Sequence, residues 1–122
     1  MHNILIVDDE PSVLDTVSNL IDARYPATYI TKATNGLDAF IATQQKKFDI
    51  IITDHKMPFM TGAAFVIAVR TKENLNTSTP MVMLSACIDH GMRKSLSIQN
   101  VKFVEKPFTP DDFLDILRTY LM

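Results

Sequence analysis

The stretch FDIIITDHKMP (residues 48–58) decides the fold of this chain, because it joins a buried strand to an acidic side chain. Its apolar and β-branched run over residues 50–53 has the length of a strand and leads directly into Asp54. A continuous apolar run is typical of a strand covered on both faces, as in a parallel sheet. The stretch therefore predicts a buried parallel strand that holds a carboxylate at its carboxyl end.

Similar runs recur along the chain and alternate with helical patterns. The five predicted strands are ILIV (4–7), ATYITKA (27–33), DIIIT (49–53), PMVML (80–84) and VKFV (101–104). Strand–helix alternation repeated five times predicts right-handed crossovers and helices on both faces of the sheet. The predicted fold is α/β: a three-layer, doubly wound sheet of five parallel strands in the order 2-1-3-4-5, with five helices.

Helical periodicity also predicts which face each of the first two helices buries. The first helix is predicted to have a cap at Ser12, with Asp15 three residues later beside Pro11. The second is predicted to open at Asn35-Gly36. The predicted inward side chains are Val13, Val17, Leu20 and Ile21 in the first helix, and Leu37, Phe40 and Ile41 in the second.

The third helix, after Gly62, is unusually apolar. Its predicted inward residues are Phe65, Ala68 and Val69, with Val66 at the boundary and Ala64 and Ile67 on the outer side. Two interpretations stay open at this point. Exposure of one isoleucine is unremarkable, whereas an all-round apolar helix also suits packing against another subunit or an output domain.

The last two helices differ in strength. The fourth, around residues 88–98, contains Gly91 and two serines, which lower its helical propensity. The fifth is predicted to open with Thr109 as cap and Pro110 in the first turn, followed by two acidic residues near the positive end of the helix. Its predicted apolar face consists of Phe113, Ile116, Leu117, Tyr120 and Leu121.

Length and composition are those of one globular domain over residues 1–122, with 47% hydrophobic and 21% charged residues. A net charge of −2 gives no basic surface for nucleic acid or for a membrane. No apolar run approaches the ~20 residues of a membrane-spanning helix. The single cysteine, Cys87, cannot form a disulfide within the chain, which favours a reducing cytoplasm.

Polar side chains follow four of the predicted strands. Asp8 and Asp9 follow the first, Asp54 the third, Ser85 the fourth and Lys106 the fifth. In a parallel sheet these positions share the carboxyl edge, where open α/β sheets bind their ligands. Strands 1 and 3 are neighbours in the predicted order, so the three carboxylates are expected to converge.

Three converging carboxylates repel one another and need positive charge nearby. Lys106 supplies one charge. A hard divalent cation is the natural second, and Mg²⁺ suits a site with few protein carboxylates and room for water. A carboxylate can also act as the nucleophile in aspartyl-phosphate chemistry, which needs mainly positioning and charge neutralisation. Each residue taken alone can be explained by a structural role, because an acidic residue at a strand end is usually a turn or helix-cap residue. Their joint arrival from four strands favours a phosphoryl-transfer site.

With these motifs the chain resembles the receiver domains of bacterial two-component response regulators, of which the chemotaxis receiver is the compact example. The blocks ILIVDDEP, DIIITDHKMPFMTG, MLSA and FVEKPF match those of the family in order and nearly in spacing. The similarity covers the whole chain and implies the flavodoxin-like fold. It also implies a phosphorylation switch without turnover of external substrates.

The resemblance implies a role for each site residue. Asp54 would accept a phosphoryl group from a phosphohistidine on a sensor histidine kinase or a histidine phosphotransfer protein. The implied Mg²⁺ ligands are Asp9, Asp54 and the backbone carbonyl of Lys56, with Asp8 acting largely through water. The implied partners of the phosphoryl group and of the switch are Lys106, Ser85, Phe103 and the cis peptide bond at Pro107.

The implied output is a change of the surface around residues 85–121, followed by slow autodephosphorylation. It would be read by a downstream protein or an output domain. Two residues, Lys56 and Cys87, stand at family positions that flank the path of the hydrolytic water. Ile116 stands where the DNA-binding branch typically has an arginine at its dimer interface, which counts against that dimer and leaves others possible.

Three rival functions are weaker. A haloacid-dehalogenase-type phosphatase needs a second acid two residues after its nucleophile, where this chain has Lys56. A flavodoxin-like cofactor binder needs a phosphate-cradling loop after the first strand, but DDEPS is acidic and lacks glycine. A pseudo-receiver that acts as an interaction module without phosphorylation is the remaining alternative, although all side chains required for phosphorylation are present.

Overall fold

The computed structural model describes residues 1–86 and 89–121, so Cys87 lies outside the described residues. The strands are β1 (His2–Val7), β2 (Thr28–Ala33), β3 (Ile50–Asp54), β4 (Met81–Ser85) and β5 (Val101–Glu105). The helices are α1 (Pro11–Arg24), α2 (Gly36–Gln45), α3 (Gly62–Thr71), α4 (His90–Ser97) and α5 (Pro110–Leu121). Over the described ranges, none of these helices has the length and apolar character needed to cross a membrane.

The five strands form one parallel sheet in the order β2-β1-β3-β4-β5, which confirms the predicted topology. The register aligns Val7 with Thr53, and Asp54 with Leu84. Strands β1, β3 and β4 therefore end at almost the same level. This alignment gathers the side chains that follow them at one edge of the sheet.

Two apolar cores cover the two faces of the sheet. Alternate residues of each strand point to opposite faces, so Ile50 and Ile52 pack with α1 and α5, whereas Ile51 packs with α2, α3 and α4. All three isoleucines are completely buried. The continuous apolar run of β3 is thus explained by burial on both sides, as its sequence indicates.

Helix α1 begins one residue earlier than its predicted cap. Pro11 occupies the first turn, and Glu10 is the N-cap without a side-chain hydrogen bond to the helix. The prediction of Ser12 as cap is therefore wrong, because the fixed φ and missing N–H of proline favour the first helical position. Val17 and Ile21 are buried as predicted, and Leu14 is also buried.

The predicted inward face of α2 is wrong for two of its three residues. Leu37 is 58% exposed and Ile41 47% exposed. The buried residues of the helix are instead small ones, namely Gly36, Ala39 and Thr43. Its N-terminus lies so close to the loop before α3 that a Cβ at Gly36 would stand 2.8 Å from the Cβ of Met60. This close approach rotates the larger apolar residues outward.

In α3, Phe65 and Val69 are completely buried, as predicted, and Ile67 is 51% exposed. Val66, predicted at the boundary, is completely buried. The buried face is therefore wider than the spacing of Phe65 and Val69 alone indicates. Since α3 lies between α2 and α4 on the same face of the sheet, it has neighbours on both sides.

The remaining two helices have side-chain caps. Asp89 accepts a hydrogen bond from the N–H of Met92 at the start of α4. Thr109 accepts one from the N–H of Asp112 at 3.1 Å, as predicted for α5. The buried residues of α5 belong to its predicted face and are Phe113, Leu117 and Leu121.

A buried polar network fixes the opposite, amino-terminal edge of the sheet. Asn76 is completely buried and accepts hydrogen bonds from the N–H of Phe48 at 2.8 Å and from the hydroxyl of Thr79 at 2.9 Å. Its amide donates to the carbonyls of Thr43 and Lys46, both at 2.7 Å. One side chain thus joins the end of α2, the start of β3 and the loop before β4.

Candidate functional site

The register of the sheet brings the acidic residues together. Val7 on β1 is aligned with Thr53 on β3. Asp8 directly follows Val7, and Asp54 directly follows Thr53. Each of Asp8, Asp9 and Asp54 offers one carboxylate oxygen, and these three oxygens lie within 4.8 Å of one another. The predicted convergence of the three carboxylates is therefore present in the structure.

Lys106 reaches into this cluster from the residue after β5. Its Nζ lies 3.2 Å from Oδ1 of Asp54 and 4.0 Å from Oδ2 of Asp8. Its backbone N–H donates to the carbonyl of Ser85 at 2.9 Å, and the following peptide bond to Pro107 is cis. The backbone of Lys106 is thus fixed to the end of β4 while its ammonium group contacts the acids.

Asp8 is the most deeply buried of the three acidic residues. It is 2% exposed, and only its Oδ1 accepts a hydrogen bond, from the N–H of Glu10 at 2.9 Å. The pKa of the Asp8 carboxyl is raised from 3.8 to about 6. Burial is the largest cause and the charge of Asp54 adds to it, whereas the Glu10 N–H and Lys106 act in the opposite direction. A second positive charge beside Asp8 would therefore be stabilising.

These residues fit a hard divalent cation. The Oδ2 atom of Asp8 is buried without a hydrogen-bond partner, which is costly for a carboxylate oxygen. The donor set consists of carboxylate oxygens, the ligands that Mg²⁺ prefers. The structure thus supplies both the oxygen donors and the excess negative charge that such an ion requires.

The acids open into a cleft of about 850 Å³ at the carboxyl edge. Ser85, at the end of β4, is 5% exposed and lines this cleft together with Lys106. Lys56 is exposed and lines it from the other side. The remaining lining residues are Asp9, Glu10, Asp54, His55, Met57, Pro58, Thr61 and Ala86.

Three predicted site residues, Asp8, Phe103 and Pro107, are not part of the cleft lining, and Phe103 lies on β5. It pairs with Met83 in the middle of β5 and is half-buried. The guanidinium of Arg93, on α4, lies 5.1 Å from the centre of its ring. Arg93 also forms an ion pair with Glu105 at 3.4 Å. Phe103 thus lies in the middle of β5 and contacts α4 through Arg93.

The loop after Asp54 is held by the start of α3. The N–H of Gly62 donates to the carbonyl of His55 at 2.8 Å, and that of Ala63 donates to the Nδ1 of His55 at 3.3 Å. A Cβ at Gly62 would collide with the carbonyl oxygen of Asp54 and stand 2.8 Å from the Cα of His55. Glycine is therefore required where α3 approaches the backbone of the acidic residue.

Sequence reasoning missed three polar residues of the cleft lining: Glu10, His55 and Thr61. His55 and Glu10 follow directly on predicted site acids, so adjacency alone could have identified them. Thr61 caps α3 by accepting a hydrogen bond from the N–H of Ala64 at 3.1 Å. The sequence DHKMPFMTG places a threonine before the glycine, which is a usable cap signal.

Comparisons with known proteins agree with this geometry. A family model described as response regulator receiver domain matches residues 4–118. Among solved structures, the chemotaxis response regulator CheY4 of Vibrio cholerae is 31% identical, with a TM-score of 0.86 over 99% of both chains. A receiver domain of a Pseudomonas aeruginosa sensor histidine kinase, solved with magnesium coordinated in its active site cleft, shares the fold at 22% identity and a TM-score of 0.80, over 98% of this chain and 96% of that one.

Curated relatives include much longer proteins. Hybrid signal transduction histidine kinase D of Dictyostelium discoideum is 28% identical over 118 residues, which is 93% of this chain and 7% of that protein. The probable transcriptional regulatory protein TcrX of Mycobacterium tuberculosis is 28% identical over 120 residues, or 97% of this chain and 49% of that protein. The chain thus spans less than half the length of either relative.

Proposed function

The chain belongs to the response regulator receiver domain family, and we propose that it is the phosphoacceptor switch of a two-component phosphorelay. Asp54 takes the phosphoryl group from a phosphohistidine on a sensor histidine kinase or a histidine phosphotransfer protein. The observation that carries this proposal is the contact of Lys106 with Asp54 at 3.2 Å, beside two further carboxylates in an open cleft.

The transfer exchanges one phosphorus bond for another. A carboxylate oxygen of Asp54 attacks the phosphorus, the bond between phosphorus and the histidine nitrogen breaks, and that nitrogen takes up a proton. Lys106 is placed to pair with the phosphoryl oxygens, since its ammonium group already lies against Asp54. Bound Mg²⁺, held by Asp9, Asp54 and the Lys56 carbonyl with Asp8 acting through water, would supply further positive charge.

Ser85 and α4 form the readout of the switch. Ser85 stands on the strand beside Asp54 and lines the same cleft, so its hydroxyl can donate to a phosphoryl oxygen. Helix α4 has only eight residues and contains Gly91, so little intrinsic propensity holds it in place. Phosphorylation is expected to pull Ser85 toward Asp54 and to shift Phe103 and α4. The changed surface, around residues 85–121, is what a downstream protein or an output domain would bind.

The signal ends by hydrolysis. Water attacks the phosphorus, the bond to the Asp54 oxygen breaks, and inorganic phosphate leaves. The chain restores its own carboxylate and turns over no external substrate. Lys56 lines the mouth of the cleft and is exposed, so its long side chain can shield the phosphoryl group from water.

Labelling with acetyl phosphate and Mg²⁺, followed by intact-mass analysis, tests the proposal. Wild type is expected to gain one phosphoryl mass, Asp54→Asn none, and Asp22→Asn, an exposed acid on α1, the wild-type amount. Equal labelling of wild type and Asp54→Asn would refute the site assignment. A chain that no phosphodonor labels would instead support the alternative, a phosphorylation-independent interaction module.

Hydrogen exchange tests the readout. Beryllofluoride, which mimics the phosphoryl group, is expected to change the protection of α4 more than that of the other helices. The Asp54→Asn variant, measured with and without beryllofluoride, serves as the control. Equal protection of α4 in both states of the wild type would contradict the proposed switch.

A further inference from the structure

The tip of the loop between β3 and α3 combines two unfavourable features in one residue. Phe59 is fully exposed, with 103% of its reference surface open to solvent, so its ring packs against no other side chain of the described chain. Its backbone has a φ of 69°, which a bulky side chain rarely adopts. The N–H of Met60 donates to the carbonyl of Pro58 at 2.8 Å and closes a three-residue γ-turn around Phe59. With a positive φ at its centre, this turn is of the rare, strained kind.

Neither feature is offset by a contact within the described chain. Among the described non-glycine residues, only Asn100 also has a positive φ, of 59°, and asparagine tolerates this conformation because its short polar side chain can bond locally. Glycine or asparagine in place of Phe59 would form the same turn without strain and without exposing a ring. An exposed apolar side chain alone is unremarkable. An exposed ring on a strained turn, however, indicates a contact outside the chain.

Phe59 lies at the rim of the acidic cleft. Pro58 and Thr61, on either side of it, both line the cleft and are exposed. Gly62 closes the loop, since a Cβ there would collide with the carbonyl oxygen of Asp54. Three steps between consecutive Cα atoms place Phe59 at most about 11 Å from Gly62, and the tight turn shortens this distance. Phe59 is therefore part of the surface that surrounds the phosphoacceptor.

The chemistry of the proposed transfer determines what covers this rim. The side chain of Asp54 is 11% exposed in the cleft, so a histidine nitrogen that brings phosphorus to it must enter the cleft. The donor protein that presents this histidine then lies on the rim. A specific protein interface covers about 800 Å² of each partner, which as a disc has a radius of about 16 Å. A disc centred on the cleft includes Phe59, whereas a small phosphodonor needs no contact with the rim.

We propose that Phe59 is the anchor by which the protein that carries the phosphohistidine docks on this chain, an inference that rests on the proposed phosphoacceptor function. The ring inserts into an apolar patch of the donor protein beside its phosphohistidine, and its burial there removes apolar surface from water. The exposed ring of Pro58 extends the apolar contact. Because the turn fixes the backbone of Phe59, little conformational freedom is lost on binding. Phe59 positions the donor and takes no part in the bond exchange at phosphorus.

Phosphorylation by two kinds of donor tests the anchor. The small donor is acetyl phosphate. The protein donors are the purified, autophosphorylated histidine kinases of the organism that encodes the chain, of which the one that labels wild type fastest is used. Phe59→Asn keeps the turn and removes the ring. It is expected to raise the KM for the phosphorylated kinase at least about tenfold, with the maximal rate changed by less than about twofold. Its labelling by acetyl phosphate is expected to equal that of wild type.

Two matched variants serve as controls. Phe59→Tyr retains an aromatic ring at the tip of the turn and is expected to keep the KM within about twofold of wild type. Ile98→Asn removes an apolar side chain that is 82% exposed at the end of α4. Because α4 leads from the end of β4 back to the start of β5, its end lies near the amino-terminal edge of the sheet, away from the cleft. Ile98→Asn is therefore expected to change neither reaction.

The outcomes separate the anchor from other roles of Phe59. An unchanged KM in Phe59→Asn overturns the proposal, and so does an equal rise in Phe59→Tyr or Ile98→Asn. Equal losses with both donors would show that Phe59 shapes the cleft, which also overturns it. Failure of every phosphorylated kinase to label a wild type that acetyl phosphate does label has the same consequence. A wild type that acetyl phosphate leaves unlabelled instead refutes the phosphoacceptor function, and the anchor with it.

Discussion

The Asp8→Asn substitution is expected to stabilise the protein at neutral pH. Asparagine has nearly the shape of aspartate, and its carbonyl oxygen can still accept the hydrogen bond from the N–H of Glu10. What the substitution removes is a buried negative charge next to Asp54. Since the pKa of Asp8 is raised, its ionisation opposes folding.

The magnitude follows from the pKa. A rise from 3.8 to about 6 corresponds to about 3 kcal/mol when the group is fully ionised, since each pKa unit is worth about 1.4 kcal/mol. The new amide nitrogen keeps no partner in the site, as Oδ2 has none now, so part of the gain is lost. We expect the free energy of unfolding at pH 7 to rise by about 1 to 3 kcal/mol.

The ionisation of Asp8 determines how the free energy of unfolding changes with pH. Below pH 3.8 the Asp8 carboxyl is protonated in both states, and its contribution is neutral. Between pH 3.8 and about 6 the folded state holds the proton and the unfolded state does not, so stability falls as pH rises. Above about pH 6 the full penalty is present. The gain from Asp8→Asn should therefore be large at pH 7 and small near pH 4.

Urea unfolding at both pH values, with and without Mg²⁺, provides the measurement. Mg²⁺ is expected to stabilise wild type more than Asp8→Asn, because an ion that binds only the folded state raises its stability. Asp22→Asn, an exposed acid on α1, should change the free energy of unfolding by less than about 0.5 kcal/mol. The reasoning is refuted if Asp8→Asn is no more stable than wild type at pH 7, or gains equally at both pH values.

Three further substitutions test other parts of the structure. Gly62→Ala is expected to lower the free energy of unfolding by about 1–3 kcal/mol, because the new Cβ collides with the Asp54 carbonyl. Asn76→Ala is expected to lower it by about 3 kcal/mol, since it leaves the N–H of Phe48 and two carbonyls unpaired; both are measured by urea unfolding. Lys56→Ala is expected to speed loss of the phosphoryl group a few-fold, or about 1 kcal/mol or less in the barrier, by opening the cleft to water; intact-mass time courses measure the rate.

Each of these has a control on a different surface. Gly91→Ala adds a Cβ in α4 that, among the described residues, meets only Asp89 Oδ1, at 3.4 Å, so it should raise stability by up to about 1 kcal/mol. Asn19→Ala removes an exposed amide from α1 and should be nearly neutral. Lys102→Ala removes an exposed lysine from β5 and should leave the hydrolysis rate unchanged. Effects equal to those of the controls would contradict the respective predictions.

The sheet and its acidic edge could be predicted because they depend on patterns local to each strand. The apolar run before Asp54 indicates burial on both faces, and parallel strands of similar length end at the same level. Asp8 and Asp54 therefore meet whichever helices cover the sheet. The rotation of a helix is different, because it depends on its neighbours. Leu37 and Ile41 have the spacing of an inward face, yet the close approach of Gly36 to Met60 turns them outward.

The burial of polar side chains could not be predicted from the sequence either. The segment TKENLNTSTP (71–80) has the composition of a solvated loop, but Asn76 within it is completely buried. Its partners are backbone groups of residues about 30 positions away, and these have no signature in sequence. The raised pKa of Asp8 likewise depends on desolvation, which only the folded structure reveals.

Among the described residues, the polar contacts at the two ends of α4 differ, and this difference favours α4 as the moving part of the proposed switch. At the amino-terminal edge, Asn76 and Arg70 bind several backbone groups, including the carbonyl of Gln99 after α4. At the carboxyl edge, the Arg93–Glu105 ion pair joins α4 to β5, with side chains 44% and 71% exposed. Such a pair is worth at most about 1 kcal/mol. A new bond between Ser85 and a phosphoryl oxygen is of at least that size. Under the proposed switch, phosphorylation of Asp54 is therefore expected to shift the start of α4 while the sheet and the end of that helix stay in place.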